Sequence, residues 1–111
     1  MLAALEAAEV HAVSHITGGG FYENIPRSLP QGLCAKIEKA AVRTPPIFGL
    51  IQRLGQIPER DMFNTFNMGV GMSLAVSRES ADRAVAALRA AGVDAYAIGE
   101  IVPGEDAIRL C

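Results

Sequence analysis

The stretch Val10-His11-Ala12-Val13-Ser14-His15-Ile16-Thr17-Gly18-Gly19-Gly20 decides how the rest of the chain is read. From Val10 to Thr17 the residues alternate, with His11, Val13, His15 and Thr17 on one side and Val10, Ala12, Ser14 and Ile16 on the other, the period of an extended strand. Three glycines then allow the chain to turn tightly, because a residue without a Cβ reaches backbone conformations that others resist. Phe21 to Leu29 predicts a short irregular helical segment. Pro26 lacks a backbone donor and limits that helix, and Pro30 with Gly32 ends it. A strand that empties through glycines into a helix start can present bare backbone N–H groups to an anion, and phosphate is the natural guest.

Upstream, Leu2, Leu5 and Ala8 suit a short amphipathic helix over Met1 to Glu9. Downstream, Leu33 to Lys39 predicts a strand with Leu33, Ala35 and Ile37 opposite Cys34, Lys36 and Glu38. Thr44 as cap with Pro45 in the first helical position predicts a helix carrying Ile47, Leu50, Ile51 and Leu54 on one face and stopping at Gly55. Pro58 opens another, with Met62, Phe63 and Phe66 turned inward. Met68 to Val76 predicts a strand with one face of large residues and one of small ones, Gly69, Gly71, Ser73 and Ala75; something must lie close on the small face, either a packed helix or a ligand at the glycines. Ser77 caps a helix with Ala81, Ala84, Val85 and Leu88 as its buried stripe, closed by Gly92. Ala95 to Val102 and Ala107 to Leu110 predict two strands around a turn at Pro103 to Asp106. The sum is an α+β fold, a mixed, mostly antiparallel sheet with packed helices, whose strand order the sequence leaves open.

The chain has 111 residues, half of them hydrophobic, enough for one domain with a real core. A formal net charge of -2, with acids and bases interleaved, provides no basic stripe for a nucleic-acid backbone. Cys34 and Cys111 lack the spacing of a disulfide framework or zinc knuckle, which fits a reducing, cytoplasmic setting. The opening residues include Glu6 and Glu9 and suit neither a signal peptide nor a membrane span.

Several residues carry candidate chemistry, each with a structural alternative. Gly18, Gly19 and Gly20 form either an anion cradle or only a tight turn, and the Lys-Ser or Lys-Thr ending of a P-loop is absent. His15 stands beside the loop, where an imidazole donates a hydrogen bond to phosphate or exchanges a proton near neutral pH; the alternative is a histidine bonded to a neighbouring carbonyl. His11 and His15 are too far apart along a strand to grip one metal, and a third ligand is missing, so no metal site is expected. Arg27 and Asn24 follow the glycines closely enough to reach the same pocket, Arg27 as a two-point phosphate grip or simply as an exposed cation. Thr65 and Asn67 either present polar groups at the strand's accessible backbone or merely complete a helix-to-strand turn. Phe48, Phe63 and Phe66 are expected in the core, and Glu59-Arg60-Asp61 on a solvated helix face.

Beyond these separate features, His15-Ile16-Thr17-Gly18-Gly19-Gly20-Phe21, Glu23-Asn24-Ile25-Pro26-Arg27 and Leu29-Pro30 together resemble the C-terminal domain of the aminoimidazole ribonucleotide synthetase family, the phosphoribosylformylglycinamidine cyclo-ligases. Pro46-Ile47-Phe48, Leu54-Gly55, Met62-Phe63, Thr65 to Met72 and Ile98-Gly99-Glu100 are similar to the same family in the same order, so the resemblance covers essentially residues 1–111. It implies an ATP-dependent enzyme of de novo purine biosynthesis that closes the imidazole ring of aminoimidazole ribonucleotide from formylglycinamidine ribonucleotide. ATP and magnesium would be held mostly by an N-terminal domain that this chain does not match, together with the main dimer contact. No cofactor is then expected on this segment, which by itself is expected to be inactive, and an incoming strand is expected just upstream of Met1.

The resemblance further implies His15 as a catalytic, proton-exchanging group, Thr17, Gly18, Gly19, Gly20, Asn24 and Arg27 around phosphate, and Asn67, Gly69 and Gly71 as the opposite wall. The implied partners are the ribonucleotide substrate and the ATP-binding domain, with neither nucleic acid nor membrane. Apolar surface left by a missing domain would favour a homo-oligomer. Other enzymes of the superfamily, such as selenophosphate synthetase or thiamine-monophosphate kinase, share the architecture without the combined motifs. The alternative of a different class is a non-catalytic phosphate-binding or assembly module.

Overall fold

In a computed structural model, which describes residues 2–111, helix α1 (Leu2–Ala7) leads into strand β1 (Val10–His15). The glycines then deliver the chain to the five-residue helix α2 (Gly20–Asn24), which runs on into a 3-10 turn at Pro26–Ser28. Strand β2 (Leu33–Ile37), helices α3 (Pro46–Gly55) and α4 (Glu59–Thr65), strand β3 (Met72–Val76) and helix α5 (Ala81–Ala90) follow. Strands β4 (Gly99–Pro103) and β5 (Ile108–Leu110) complete the order. Met1, where the first helix is expected to start, lies outside the described residues.

The α+β class is as the alternation of patterns indicates, but the strands form two sheets rather than one. β1 pairs antiparallel with β3, placing His15 opposite Met72 and Val13 opposite Leu74. In the other sheet β2 is central, antiparallel to β4 and parallel to β5. The core gathers Ile16, Phe21 and Ile25 from the glycine-loop region, Ala35 and Ile37 from β2, and Met62 and Phe63 from α4. Phe21 and Phe63 meet edge to face with centroids 5.2 Å apart, a geometry favoured by the ring quadrupoles. This contact locks the segment after the glycines onto α4.

Several boundaries differ from the sequence reading, each for a local reason. The strand expected from Met68 begins only at Met72, because Met68 and Gly69 have φ of +53° and +94° and form a turn instead. What lies close to Gly69 is Pro45, into whose ring a Cβ would run; around Gly71 a Cβ would meet nothing. The strand expected from Ala95 begins at Gly99: the carbonyl of Ala95 accepts the Arg89 Nε–H at 2.9 Å, so it is occupied by a side chain rather than a neighbouring strand. Pro45, not Thr44, is the cap of α3, and the left-handed stop is Gln56 at φ +52°, one residue past Gly55. Ser77 caps a 3-10 turn at Arg78–Ser80, and α5 starts after it from Ser80. Among the described side chains of α1, Ala4 is buried, while Leu2 and Leu5 are exposed.

Candidate functional site

The glycine loop is built around one side chain. Asn24, 5% exposed, sits at the end of α2 beneath the turn. Its Nδ2 donates to the carbonyl oxygens of Gly20 at 2.8 Å, Thr17 at 3.2 Å and Gly18 at 3.3 Å, and its Oδ1 accepts the Thr17 hydroxyl at 3.4 Å. The sequence motif suggests Asn24 as a ligand contact; in the structure its amide is engaged within the chain. Gly20 differs from expectation too: its N–H donates to the Thr17 carbonyl at 3.0 Å and it is buried, so it is not a third free donor. The N–H groups of Gly18 and Gly19 have no acceptor among the described residues, and Gly18 lies exposed at the surface.

Local geometry explains why glycine stands at two of these positions. Gly19 and Gly20 adopt φ of +99° and +61°, the left-handed region that side-chain-bearing residues resist. A Cβ on Gly19 would press on the Glu23 side chain, 2.9 Å from its carboxylate oxygen Oε2, and one on Gly20 would run into the Phe63 carbonyl. Gly18 has neither constraint. Helix α2, with five residues, is too short to bring much dipole to the loop, so any attraction for an anion comes from individual N–H groups.

A small cavity of about 280 Å³ opens on the other side of Asn24, lined by Val13, Ser14, His15, Asn24, Arg27 and Ser28. The structure thus brings His15, Asn24 and Arg27 together, while the glycines do not line this cavity. The serines were not singled out by the sequence. Ser28 Oγ lies 3.0 Å from the Ile25 carbonyl, to which it can donate, and shares a 2.7 Å hydrogen bond with Ser14 Oγ. In the sequence Ser14 stands out only as one of the residues on the Val10, Ala12, Ser14 and Ile16 side of the strand. Glu23, part of the same motif, accepts Asn64 Nδ2 at 3.3 Å on its carboxylate and borders Gly19.

His15 also faces a larger groove of about 890 Å³ between the two sheets, shared with Gly69, Gly71, Met72 and Ser73 and lined further by α5 and residues 93–101. Its volume falls in the range of small-molecule sites. Asn67 lines neither cavity; its Oδ1 accepts the Gly69 N–H at 2.9 Å, closing the turn before β3. His11 stands apart, its Nε2 3.8 Å from a Glu9 carboxylate oxygen. Among the described residues no three His, Cys, Asp or Glu side chains are placed to hold a metal ion, and both cysteines are free, Cys34 buried and Cys111 exposed. Among the described residues no helix is long and apolar enough to cross a membrane.

A family model described as AIR synthase related protein, C-terminal domain, matches residues 1–110, and this α+β chain belongs to that family. Its similarity to particular proteins is high. It is 54% identical over 103 residues to phosphoribosylformylglycinamidine cyclo-ligase of Lachnoclostridium phytofermentans, covering 93% of this chain and 30% of that protein. Relatives of the same name from Caldicellulosiruptor bescii and Shouchella clausii are 50% and 49% identical, over 99% and 97% of this chain and 32% and 31% of theirs. The chain therefore spans about a third of the length of the curated relatives it matches.

Proposed function

We propose that this chain is the C-terminal part of a phosphoribosylformylglycinamidine cyclo-ligase and that its glycine loop holds a phosphate group of the reacting ribonucleotide. In the reaction the formyl amide oxygen takes the terminal phosphoryl group of ATP, the amidine nitrogen attacks the activated carbon, and inorganic phosphate leaves as the imidazole ring closes. Negative oxygen is present at every stage, and donors fixed in advance stabilise it without reorganisation. The observation that carries this reading is the pair of unengaged N–H groups at Gly18 and Gly19, beside His15 and Thr17.

In this reading the Gly18 and Gly19 N–H groups donate to phosphate oxygen, and Thr17 flanks them. His15, at the edge shared by the two cavities, exchanges the proton that the amidine nitrogen must lose, and Arg27 supplies positive charge from the smaller one. Gly69 and Gly71, with the turn closed by Asn67, form the opposite wall. In this reading ATP and its magnesium are held mostly by the ATP-binding portion of the enzyme that the chain does not match, and no step here is routed through the metal. The setting is the cytoplasm, and the partners are the ribonucleotide and the ATP-binding portion.

Titrating the chain with inorganic phosphate while following backbone amide resonances tests the site: Gly18 and Gly19 should shift saturably, and unmoved resonances would refute it. The chain alone should release no ADP from ATP and formylglycinamidine ribonucleotide, because one reactant cannot be positioned against the other. Substrate-dependent ADP release from the chain alone would contradict that assignment.

A further inference from the structure

We infer that Asn24 is the positioning residue of the glycine loop: by drawing the carbonyls of Thr17 and Gly18 inward it turns the N–H groups of Gly18 and Gly19 outward, while its bond to the Gly20 carbonyl ties it to the start of α2. The inference rests on the phosphate reading of the loop and deepens it.

The peptide bonds of the described residues are trans, and in a planar trans peptide the C=O and the following N–H point in opposite directions. Nδ2 of Asn24 donates to the carbonyls of Thr17, Gly18 and Gly20. The bonds to Thr17 and Gly18 each aim a carbonyl toward Asn24 and so aim the next residue's N–H away from it. The two N–H groups on Nδ2 are shared among three acceptors, and Oδ1 is anchored by the Thr17 hydroxyl, which fixes the side-chain amide in the one orientation that can donate to the loop.

A buried primary amide is suited to this task for a chemical reason. A carboxylate would repel three inward carbonyls, and an apolar residue of the same size would leave them unpaired. The loop glycines supply the freedom to adopt the turn, with Gly19 and Gly20 at positive φ, and Asn24 selects which face of each peptide plane meets the ligand. The side chain thus acts on phosphate through the backbone and without touching it.

The test compares the wild-type chain with Asn24→Leu, equal in size but without a donor or a charge, in a titration with inorganic phosphate read at the Gly18 and Gly19 amide resonances. Asn24→Leu should keep a dispersed, folded spectrum and bind phosphate about tenfold more weakly or worse, the scale of a lost preorganised hydrogen bond. Asn24→Ser, whose hydroxyl can still donate to one carbonyl, should fall between the two, and it carries the test should Asn24→Leu fail to fold. Wild-type affinity at Gly18 and Gly19 in whichever of these variants is folded would overturn the inference. If the wild-type chain itself shows no saturable shift, the phosphate reading fails first and the inference falls with it.

Discussion

Gly20 lies so close to the carbonyl oxygen of Phe63 that no Cβ fits between them, and it holds φ at +61°. Two penalties would fall on any larger residue there, a left-handed backbone and a collision with main chain that cannot move freely. Gly20→Ala should therefore cost about 3 kcal/mol of stability. Gly18→Ala, in open space, should stay within about 1 kcal/mol of wild type. Urea denaturation of the two variants checks this, and equal midpoints would contradict it.

Lys39 and Glu59 form the shortest ion pair among the described residues, Nζ to Oε1 at 2.6 Å. The hydrogen bond to Glu59, then its charge, raise the Lys39 pKa above its ordinary 10.5. A raised pKa means the folded state holds the proton more tightly, so the stabilisation is complete below 10.5 and disappears as pH climbs through the higher folded value. Melting temperatures of wild type and Lys39→Met should differ at neutral pH and converge in strong alkali. A gap that persists there would show that the ion pair is not its source.

Arg43 clamps the segment that fails to become a strand. Its Nη1 donates to Asp94 Oδ1 at 2.8 Å, its guanidinium lies 4.3 Å from the centre of the Tyr96 ring, and its backbone N–H donates to the Tyr96 hydroxyl oxygen at 3.1 Å. The charged contacts are exposed, so Arg43→Ala should cost only about 1 kcal/mol in low salt, and less as salt rises. Denaturation at low and high ionic strength measures this; a loss of several kcal/mol would mean the clamp holds the core itself.

These examples show what the sequence makes legible. The alternation from Val10 to Thr17 and the glycines after it locate β1 and the loop, although the strand ends at His15, because a half-buried strand and a tight turn are determined by nearby residues. The expectation of a continuous strand from Met68 to Val76 fails at Met68 and Gly69, which turn at positive φ under the Asn67 side chain with Pro45 packed close to Gly69. Ala95 fails in the same way through Arg89, and the separation into two sheets depends on pairings that no local pattern encodes. At the candidate site, the motif singles out Asn24 and the glycines, but that Asn24 faces the loop's carbonyls and that the Gly20 N–H is engaged depend on the folded loop and not on residue order.

Glu23 places a carboxylate beside Gly19, against the charge of any phosphate held there. Glu23→Gln keeps an oxygen acceptor for Asn64 while removing the charge, and should tighten inorganic phosphate binding on the order of threefold at low salt, with the gain shrinking as salt is added. Unchanged or weaker affinity in the same amide titration would place the anion away from Gly19.

The most direct test of the loop as the phosphate cradle is turnover of the intact cyclo-ligase carrying this segment with Gly18→Val. A Cβ at Gly18 meets nothing within 4 Å, so the fold should tolerate the substitution while the branched side chain crowds the outward N–H groups. The account predicts a fall in kcat/KM of about 100-fold, the scale of losing one preorganised donor to developing negative charge, with a melting curve close to wild type. Wild-type turnover in that folded variant would contradict it.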